Sequence, residues 1–307
     1  MTRLGPHSIA PLLALALASC RTAAPAPLPA IPHAPADDQP PRVALVLGGG
    51  GARGFAHVGV IRVLEDAGVP VELVVGTSVG SLVGALYATD TNSVELERTA
   101  RTLERSDFFD FGLSPALFGT GLATGRRLEK FVRQHLPEAR IEQLRVPYAA
   151  VATDLDTGET VVLREGDVAR AVRASCAIPG VFEPVTWDGR LLVDGGVTLN
   201  LPVKVARDMG ADVIIAVDLS AVEPLRPPDN FVEVIMRAVN IRVHGEVEQA
   251  RQTSDVLITP EVGKVGMIDF DRKDEAIAAG VAAARAALPE IQRVLREGSR
   301  RQAAAAR

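Results

Sequence analysis

Short apolar runs alternate with stretches of helical periodicity through the middle of the chain. Residues 43–47 are all apolar, which is typical of a strand buried on both faces. From Phe55 the apolar residues recur at helical spacing, and Gly68 and Pro70 end that pattern before a second predicted strand at 71–75. A strand, a helix and a strand within about 35 residues predict a parallel unit, whose two strand ends emerge at the same edge of the sheet.

The same alternation continues towards the C-terminus. It predicts strands at 148–153, 160–163, 190–193, 213–217 and 256–259, and helices at 168–175, 230–253 and 276–296. Strands and helices that alternate in this way place helices on both faces of a largely parallel sheet. The predicted fold class is therefore α/β, a three-layer α/β/α arrangement with a mostly parallel central sheet.

The N-terminal segment does not follow this pattern. Arg3 and the apolar run at 9–18 have the layout of a secretory signal, and Leu17-Ala18-Ser19-Cys20 resembles a bacterial lipobox. The apolar run is too short to span a bilayer, which needs about 20 residues. An ordinary cleaved signal with a chance cysteine is the alternative. We predict a lipoprotein signal peptide at 1–19.

Residues 20–41 are predicted to be the lipidated Cys20 followed by a tether rich in proline and alanine. Such a sequence favours polyproline II, which at about 3.1 Å per residue would place the domain roughly 60 Å from a bilayer. The lipobox resemblance implies several acyl chains on Cys20, enough for durable anchoring. Arg21, rather than aspartate, favours the outer membrane, so we expect secretion across the inner membrane and an anchored protein facing the periplasm or the cell surface.

Composition and charge narrow the function without changing the fold prediction. Apolar residues make up 47% of the chain and charged residues 23%, as in a globular domain, and the net charge of −5 gives no indication of nucleic-acid binding. Two cysteines, Cys20 and Cys176, cannot form a disulfide framework or a zinc cluster. We predict that Cys176 is a small buried hydrophobic residue, that one domain spans 42–298, and that 299–307 is a disordered tail.

Two loops at the predicted sheet edge carry the candidate chemistry. Gly49-x-Gly51-x-x-Gly54 follows the first strand and Gly76-x-Ser78-x-Gly80 follows the second. A dinucleotide site would need an acidic residue at the end of the second strand, but Glu72 lies at its start. Glycines that only permit tight turns would not explain why the second motif also contains a serine at a strand end. G-x-S-x-G at a strand-to-helix turn is typical of a nucleophile elbow, with Ser78 as the nucleophile.

The sequence identifies the base that would activate Ser78 less clearly than it identifies Ser78 itself. The histidines that follow it, His135 and His244, lie in helical patterns rather than in strand-end loops. Asp194 follows a strand-like run and precedes Gly195-Gly196, so its carboxylate can face the sheet edge. An Asp-Gly turn without any catalytic role is equally compatible with this local sequence.

Taken in order, these motifs resemble those of the patatin-like phospholipases, in particular the bacterial group that includes the RssA-type proteins and the catalytic domain of neuropathy target esterase. The resemblance rests on the glycine loop 49–54, the turn 76–80 and the Asp194-Gly-Gly triplet, together with 174–180 and 200–203. It implies a Ser78–Asp194 dyad without histidine. It also implies an oxyanion hole formed by the backbone of Gly49, Gly50 and Gly51. The supporting residues that it implies are Arg53, Gly54, Gly76, Gly80, Gly195 and Gly196.

The activity implied by this resemblance is hydrolysis of lipid acyl esters, of the phospholipase A or lysophospholipase type, through an acyl-enzyme. The substrate would be a membrane lipid, and no metal or organic cofactor is implied. A non-catalytic, membrane-tethered binding protein on a hydrolase fold is one alternative, and a Ser-Asp-His esterase that uses His244 is another.

One further segment is unusual. Residues 106–125 contain four phenylalanines, interrupted by glycine and proline. The segment is compatible with a loop that contributes aromatic side chains to the core, and equally with an acyl-chain wall or lid.

Overall fold

A computed structural model describes residues 41–110, 121–136, 139–220 and 231–305. The predicted signal peptide, Cys20 and nearly all of the tether lie outside these ranges, as do Phe111 and Phe118. None of the helices in these ranges is both long enough and apolar enough to cross a membrane.

The strands of the described chain form one large sheet and one small one. They are β1 (Val43–Leu47), β2 (Val71–Thr77), β3 (Gly121–Ala123), β4 (Tyr148–Asp154), β5 (Thr160–Leu163), β6 (Gly180–Phe182), β7 (Val185–Trp187), β8 (Arg190–Asp194), β9 (Val213–Val217) and β10 (Val256–Ile258). The large sheet has the order β10-β9-β1-β2-β4-β8-β7, with β5 paired to β4, and β3 pairs with β6. The first five strands in that order are mutually parallel.

Helices cover both faces of the large sheet. They are α1 (Phe55–Asp66), α2 (Val79–Asp90), α3 (Ser93–Thr102), α4 (Arg105–Phe108), α5 (Arg126–His135), α6 (Val168–Ser175), α7 (Val203–Asp208), α8 (Phe231–Thr253) and α9 (Lys273–Ala305). Alternate residues of β1 enter two separate cores, one shared with α1, α2 and α9 and the other with α7 and α8. The fold class predicted from the sequence, a three-layer α/β/α fold with a mostly parallel sheet, is confirmed.

The antiparallel strand β8 determines which residues lie beside the carboxyl end of β2. Thr77, the last residue of β2, pairs with Val151 in the middle of β4, so the second half of β4 extends beyond β2. The strand β8 runs antiparallel along this extension, and its last residue, Asp194, pairs with Ala152. A strand that points the opposite way therefore ends beside the carboxyl end of β2.

The end of the chain differs from the sequence prediction. We predicted a disordered tail at 299–307, whereas α9 continues to Ala305. The added residues are rich in alanine, arginine and glutamine, which have high helix propensity, and they extend a helix that is already nucleated.

The glycine loop leads directly into α1, and α1 packs on α9 at backbone distance. A Cβ atom on Gly59 would collide with the carbonyl oxygen of Ile277, and one on Gly280 would collide with that of Ala56. Both glycines are buried. Two helices can approach this closely only where neither carries a side chain, so this crossing fixes the position of the helix that follows the glycine loop.

We expect Gly280→Ala to lower the free energy of unfolding by about 1–3 kcal/mol, because the helices must separate to admit the methyl group. Gly245→Ala is the matched control, since Gly245 also lies inside a helix but a Cβ atom there would meet nothing within 4 Å. That substitution should stabilise the protein by up to about 1 kcal/mol. Urea denaturation measures both, and a Gly280→Ala protein as stable as the Gly245→Ala protein would contradict the close crossing.

Candidate active site

Ser78 stands in the sharp turn between β2 and α2. Its φ is 54° and its ψ is −128°, a conformation that residues other than glycine rarely adopt. The turn also demands glycine nearby, because a Cβ atom on Gly76 would collide with the carbonyl of Gly80. This is the strained strand-to-helix geometry of a nucleophile elbow, which presents the serine hydroxyl at the sheet edge.

A second serine, which the sequence analysis did not assign a role, supports this turn. The Ser78 amide donates to Ser175 Oγ at 2.9 Å, and Ser175 Oγ donates in turn to the Val151 carbonyl at 2.6 Å. Ser175 is fully buried at the end of α6. It lies in the 174–180 motif that contributed to the family resemblance, and this was the only sequence signal for it. The hydroxyl connects the strained residue to the central strand β4.

Asp194 is held in place by its backbone and by its carboxylate. Its amide donates to the Ala177 carbonyl at 2.9 Å, and its carbonyl accepts from Thr153 Oγ1 at 3.0 Å. Its Oδ1 accepts from the Gly196 amide at 2.7 Å. A Cβ atom on Gly195 would collide with the Val151 carbonyl, so the glycine pair allows the turn to sit tightly against β4.

The two predicted catalytic side chains meet directly. Ser78 Oγ donates to Asp194 Oδ2 at 2.7 Å. Only 8% of Ser78 and 2% of Asp194 is exposed. Burial raises the pKa of Asp194 from 3.8 to about 6, against the lowering effect of the hydrogen bonds from Ser78 and Gly196. The carboxylate is therefore a stronger base than an exposed aspartate, although still ionised at neutral pH.

The histidines lie elsewhere. In the part of the chain that the structure describes, no histidine hydrogen-bonds to the side chain of Ser78 or of Asp194. His135 Nδ1 contacts the Phe131 carbonyl at 2.9 Å within α5, and His244 is exposed on α8. The geometry does not favour the alternative in which His244 completes a triad.

The structure of the glycine loop changes the predicted composition of the oxyanion hole. The Gly49 amide donates to the Asn200 carbonyl at 3.3 Å, which leaves it a poorer candidate for the oxyanion hole than its neighbours. The cause is that the segment before α7 packs on the loop here, so closely that a Cβ atom on Gly49 would collide with the Asn200 side chain. Within the described residues, no acceptor is found for the amides of Gly50 and Gly51, or for that of Val79. These three donors lie at the start of helical turns, where an anion is favoured.

Side chains from both sides hold this loop. Arg53 is buried and its Nε donates to the Val265 carbonyl at 2.8 Å. His57 is fully buried, with its Nε2 at 2.8 Å from the Gly48 carbonyl. Burial lowers the pKa of His57 to about 4, so the ring is neutral, and its Nε2 carries the proton that the carbonyl accepts. Gly54 packs against Val79 with no room for a Cβ atom, which joins the loop to the elbow.

An apolar cavity opens beside Ser78. It is lined by Gly51, Ser78, Val79, Phe108, Phe109, Cys176, Ile178, Phe182, Met267, Ile268 and Phe270. The Cys176 side chain is buried, as predicted, and burial raises the pKa of its thiol, which keeps it neutral. A buried hydroxyl next to apolar walls can receive a substrate with a hydrocarbon portion.

Comparison with known proteins agrees with the motifs. Residues 45–207, more than half of the chain, match the family model described as patatin-like phospholipase. The chain belongs to the patatin-like phospholipase family. That family comprises lipid ester hydrolases, and the matched region contains both Ser78 and Asp194.

Several relatives belong to the NTE group of this family. The chain is 42% identical over 185 residues to patatin-like phospholipase domain-containing protein 6 of Mus musculus, covering 58% of this chain and 14% of that protein. It is 41% identical over 183 residues to an uncharacterized NTE family protein of Mycobacterium bovis, covering 60% and 50%. It is 30% identical over 278 residues to lysophospholipase nte1 of Aspergillus oryzae, covering 81% and 18%. The chain thus matches no more than half the length of these relatives.

The solved structures that resemble this patatin-like chain are more distant. The crystal structure of VipD from Legionella pneumophila has a TM-score of 0.48 and 13% sequence identity, and the match covers 85% of this chain and 67% of that one.

Removing the Ser175 hydroxyl should impair the elbow without touching the reacting atoms. We expect Ser175→Ala to slow fluorophosphonate labelling of the protein about 100-fold, because a displaced nucleophile loses its alignment. The two buried groups left without a partner should also destabilise the protein by about 1–3 kcal/mol. Ser93→Ala, which truncates another buried serine, is the control. A labelling rate equal to that of the control would show that Ser175 only contributes to packing.

Proposed function

We propose that this patatin-like protein is a serine esterase that hydrolyses lipid acyl esters, of the phospholipase A or lysophospholipase type. The observation that carries the proposal is the buried hydrogen bond of 2.7 Å from Ser78 Oγ to Asp194 Oδ2, made at a strained elbow. The apolar cavity beside Ser78 supports a lipid substrate, since it suits an acyl chain better than a polar ester. The lysophospholipase name of the fungal relative points to the same substrate class.

In the proposed reaction, Ser78 Oγ attacks the ester carbonyl carbon while its proton moves to Asp194 Oδ2. The carbonyl oxygen becomes an oxyanion, which the amides of Gly50 and Gly51 stabilise, with a contribution from Val79. The intermediate then expels the alcohol part of the lipid, which takes the proton from Asp194. Water hydrolyses the acyl-enzyme by the same route, with Asp194 as its base, and releases the fatty acid.

The environment of Asp194 suits this role. A carboxylate with an ordinary pKa near 4 accepts a serine proton poorly, and a higher pKa makes that transfer more favourable. Burial brings the pKa of Asp194 to about 6, close to neutral pH but low enough for ionisation there. The carboxyl is thus in its working form above pH about 6, and protonation below that value removes the base.

We expect Ser78→Ala to abolish ester hydrolysis and fluorophosphonate labelling, and Asp194→Asn to lower kcat by about 10⁴-fold. The measurement is the hydrolysis of a para-nitrophenyl ester by the purified protein. His244→Ala is the control, because His244 lies on an exposed helical face. Its activity should equal that of the unmodified protein.

Stability distinguishes loss of chemistry from loss of fold in these variants. Keeping Asp194 ionised with a pKa of about 6 instead of 3.8 costs the folded state free energy, so Asp194→Asn should stabilise the protein by up to about 3 kcal/mol at neutral pH. The gain should be complete well above pH 6 and disappear as the pH falls below 3.8, where the carboxyl is protonated in both states. An active Asp194→Asn protein, or a crippled His244→Ala protein, would refute the dyad.

We also propose that Cys20 is lipidated and anchors the protein, on the basis of the lipobox that ends in Cys20 and the proline-rich tether that follows. We place the anchored domain at the outer membrane, facing the periplasm or the cell surface. A membrane position would bring the esterase to insoluble lipid substrates. Cys20 and all but the last residue of the tether lie outside the described part of the chain.

For this anchor, we expect Cys20→Ser to leave the precursor uncleaved and unlabelled by radioactive palmitate in the native host. Cys176→Ser, which alters the other cysteine of the chain, is the matched control and should still be processed and labelled. Unchanged processing and membrane retention of the Cys20→Ser protein would show that the lipobox assignment is incorrect.

A further inference from the structure

The glycine loop between β1 and α1 has little conformational preference of its own. Residues 48–51 are four consecutive glycines, and glycine populates backbone conformations that other residues avoid. The peptide planes of this loop can therefore rotate unless contacts from other segments hold them. An oxyanion hole stabilises charge best when its donors are oriented before the reaction begins. The contacts that fix this loop therefore bear directly on the proposed esterase reaction.

One peptide plane of the loop, between Gly48 and Gly49, is held at both of its polar ends. His57 Nε2 donates to the Gly48 carbonyl at 2.8 Å, and the Gly49 amide donates to the Asn200 carbonyl at 3.3 Å. His57 belongs to α1, whereas Asn200 lies in the segment before α7. We call this unit the clamped peptide, because it cannot turn over without breaking both hydrogen bonds.

The Asn200 side chain also fills the space beside the clamped peptide. A Cβ atom on Gly49 would lie 2.5 Å from Asn200 Oδ1 and 3.2 Å from Ser78 Cβ. A Cβ atom on Gly196 would lie 3.1 Å from both Asn200 Oδ1 and Asp194 Oδ1. The buried side-chain amide of Asn200 is thus wedged between the glycine loop and the turn that follows Asp194.

The other end of the loop is held by the segment before α9. The Ala52 amide donates to the Met267 carbonyl at 2.8 Å, and a Cβ atom on Gly51 would collide with the same carbonyl. The amides of Gly50 and Gly51, which have no acceptor among the described residues, lie between this anchor and the clamped peptide. Because the chain is fixed on both sides of them, their directions are fixed as well.

The second ring nitrogen of His57 makes no hydrogen bond in the described part of the chain. The ring is fully buried, and its Nδ1 has no partner there. A buried nitrogen without a partner costs free energy, so an apolar side chain of similar size would suit packing at this position at least as well. The hydrogen bond to Gly48 is therefore the polar interaction that distinguishes histidine from leucine here.

We propose that His57 and Asn200 are positioning residues for the oxyanion hole. They fix the orientation of the clamped peptide, and through it they direct the amides of Gly50 and Gly51 towards the carbonyl oxygen of the substrate. Both residues act through the backbone of the loop and not on the substrate itself. This role rests on the proposed esterase function and adds to it the groups that keep the donors oriented.

Two substitutions of His57 separate hydrogen bonding from packing. His57→Leu removes the donor and keeps a buried side chain, whereas His57→Gln keeps an N–H group at a similar reach. The control is His135→Leu, because His135 Nδ1 also contacts a backbone carbonyl, that of Phe131 at 2.9 Å, but within α5. The substrates are para-nitrophenyl butyrate and its thiono analogue, in which C=S replaces C=O. Sulfur accepts hydrogen bonds weakly, so the ratio of kcat for the oxygen ester to kcat for the thiono ester reports on the oxyanion hole.

We expect His57→Leu to lower kcat for the oxygen ester by about 10- to 100-fold and to leave KM within about twofold, because the donors act on the transition state. The oxygen-to-thiono ratio should fall about 10-fold, and His57→Gln should restore most of it. The acid limb of the pH profile should stay near pH 6 in every variant, since the pKa of Asp194 is about 6 and its contacts are unchanged. An oxygen-to-thiono ratio in His57→Leu equal to that of His135→Leu would show that His57 only packs.

Asn200→Ala tests the other side of the clamped peptide, and it keeps the proposal testable if His57→Leu does not fold. This substitution keeps the backbone carbonyl but empties the space beside Gly49, so the loop can shift and the oxygen-to-thiono ratio should again fall. When both substitutions are combined, the loss should be smaller than the product of the two single losses, because both act on one peptide. A fully multiplicative loss, or an unchanged ratio in Asn200→Ala, would overturn the shared clamp.

Hydrogen exchange separates this proposal from the esterase proposal. The exchange of glycine amides is measured by NMR on protein labelled with nitrogen-15 glycine. The Gly49 amide should exchange at least about 10-fold faster in His57→Leu than in the wild type, while the helical amide of Gly245 should not change. A wild-type protein that cleaves neither ester but shows this difference would refute the esterase function and retain the clamp. Equal Gly49 exchange in the two proteins would refute the clamp itself.

Discussion

The buried hydrogen bond between Ser78 Oγ and Asp194 Oδ2 is the interaction on which the rest of the site depends. A carboxylate almost completely removed from water is costly, and among the described residues two hydrogen bonds, from Ser78 and Gly196, offset that cost. The result is a pKa raised to about 6 and a carboxyl that is available as a base. Burial of this carboxylate therefore lowers the stability of the folded protein, as is common at functional sites.

The surrounding polar atoms hold the Ser78 and Asp194 side chains in position. Ser78 occupies a strained conformation, and its amide reaches β4 through Ser175, while the Asp194 backbone reaches β4 through Thr153 and strand pairing. Both catalytic candidates are thus fixed to the same strand, on the side where β2 and β8 pair with it one after the other. A rigid common support of this kind can hold two side chains at hydrogen-bond distance while one of them is strained.

The site has a polar part, made of backbone amides, and an apolar part, made of side chains. The amides of Gly50, Gly51 and Val79 lie at the start of helical turns, where an anion is favoured, and apart from Ser78 the side chains that line the neighbouring cavity are apolar. Gly51 belongs to both parts, because it lines this cavity and its amide has no acceptor among the described residues.

Local sequence determined much of this protein. Buried strands, amphipathic helices and the glycine motifs act over a few residues, so the α/β class, the two loops at one sheet edge and the elbow at Ser78 could be predicted from pattern alone. The local sequence around Asp194 left a plain turn equally possible. Only the tertiary structure decided that β8 runs antiparallel along the extension of β4, which brings Asp194 to Ser78 across 116 positions of sequence. It also decided that Ser175 supports the elbow and that Asn200 takes the Gly49 amide. These contacts join distant segments, and their partners are selected by packing and strand register, which no local pattern encodes.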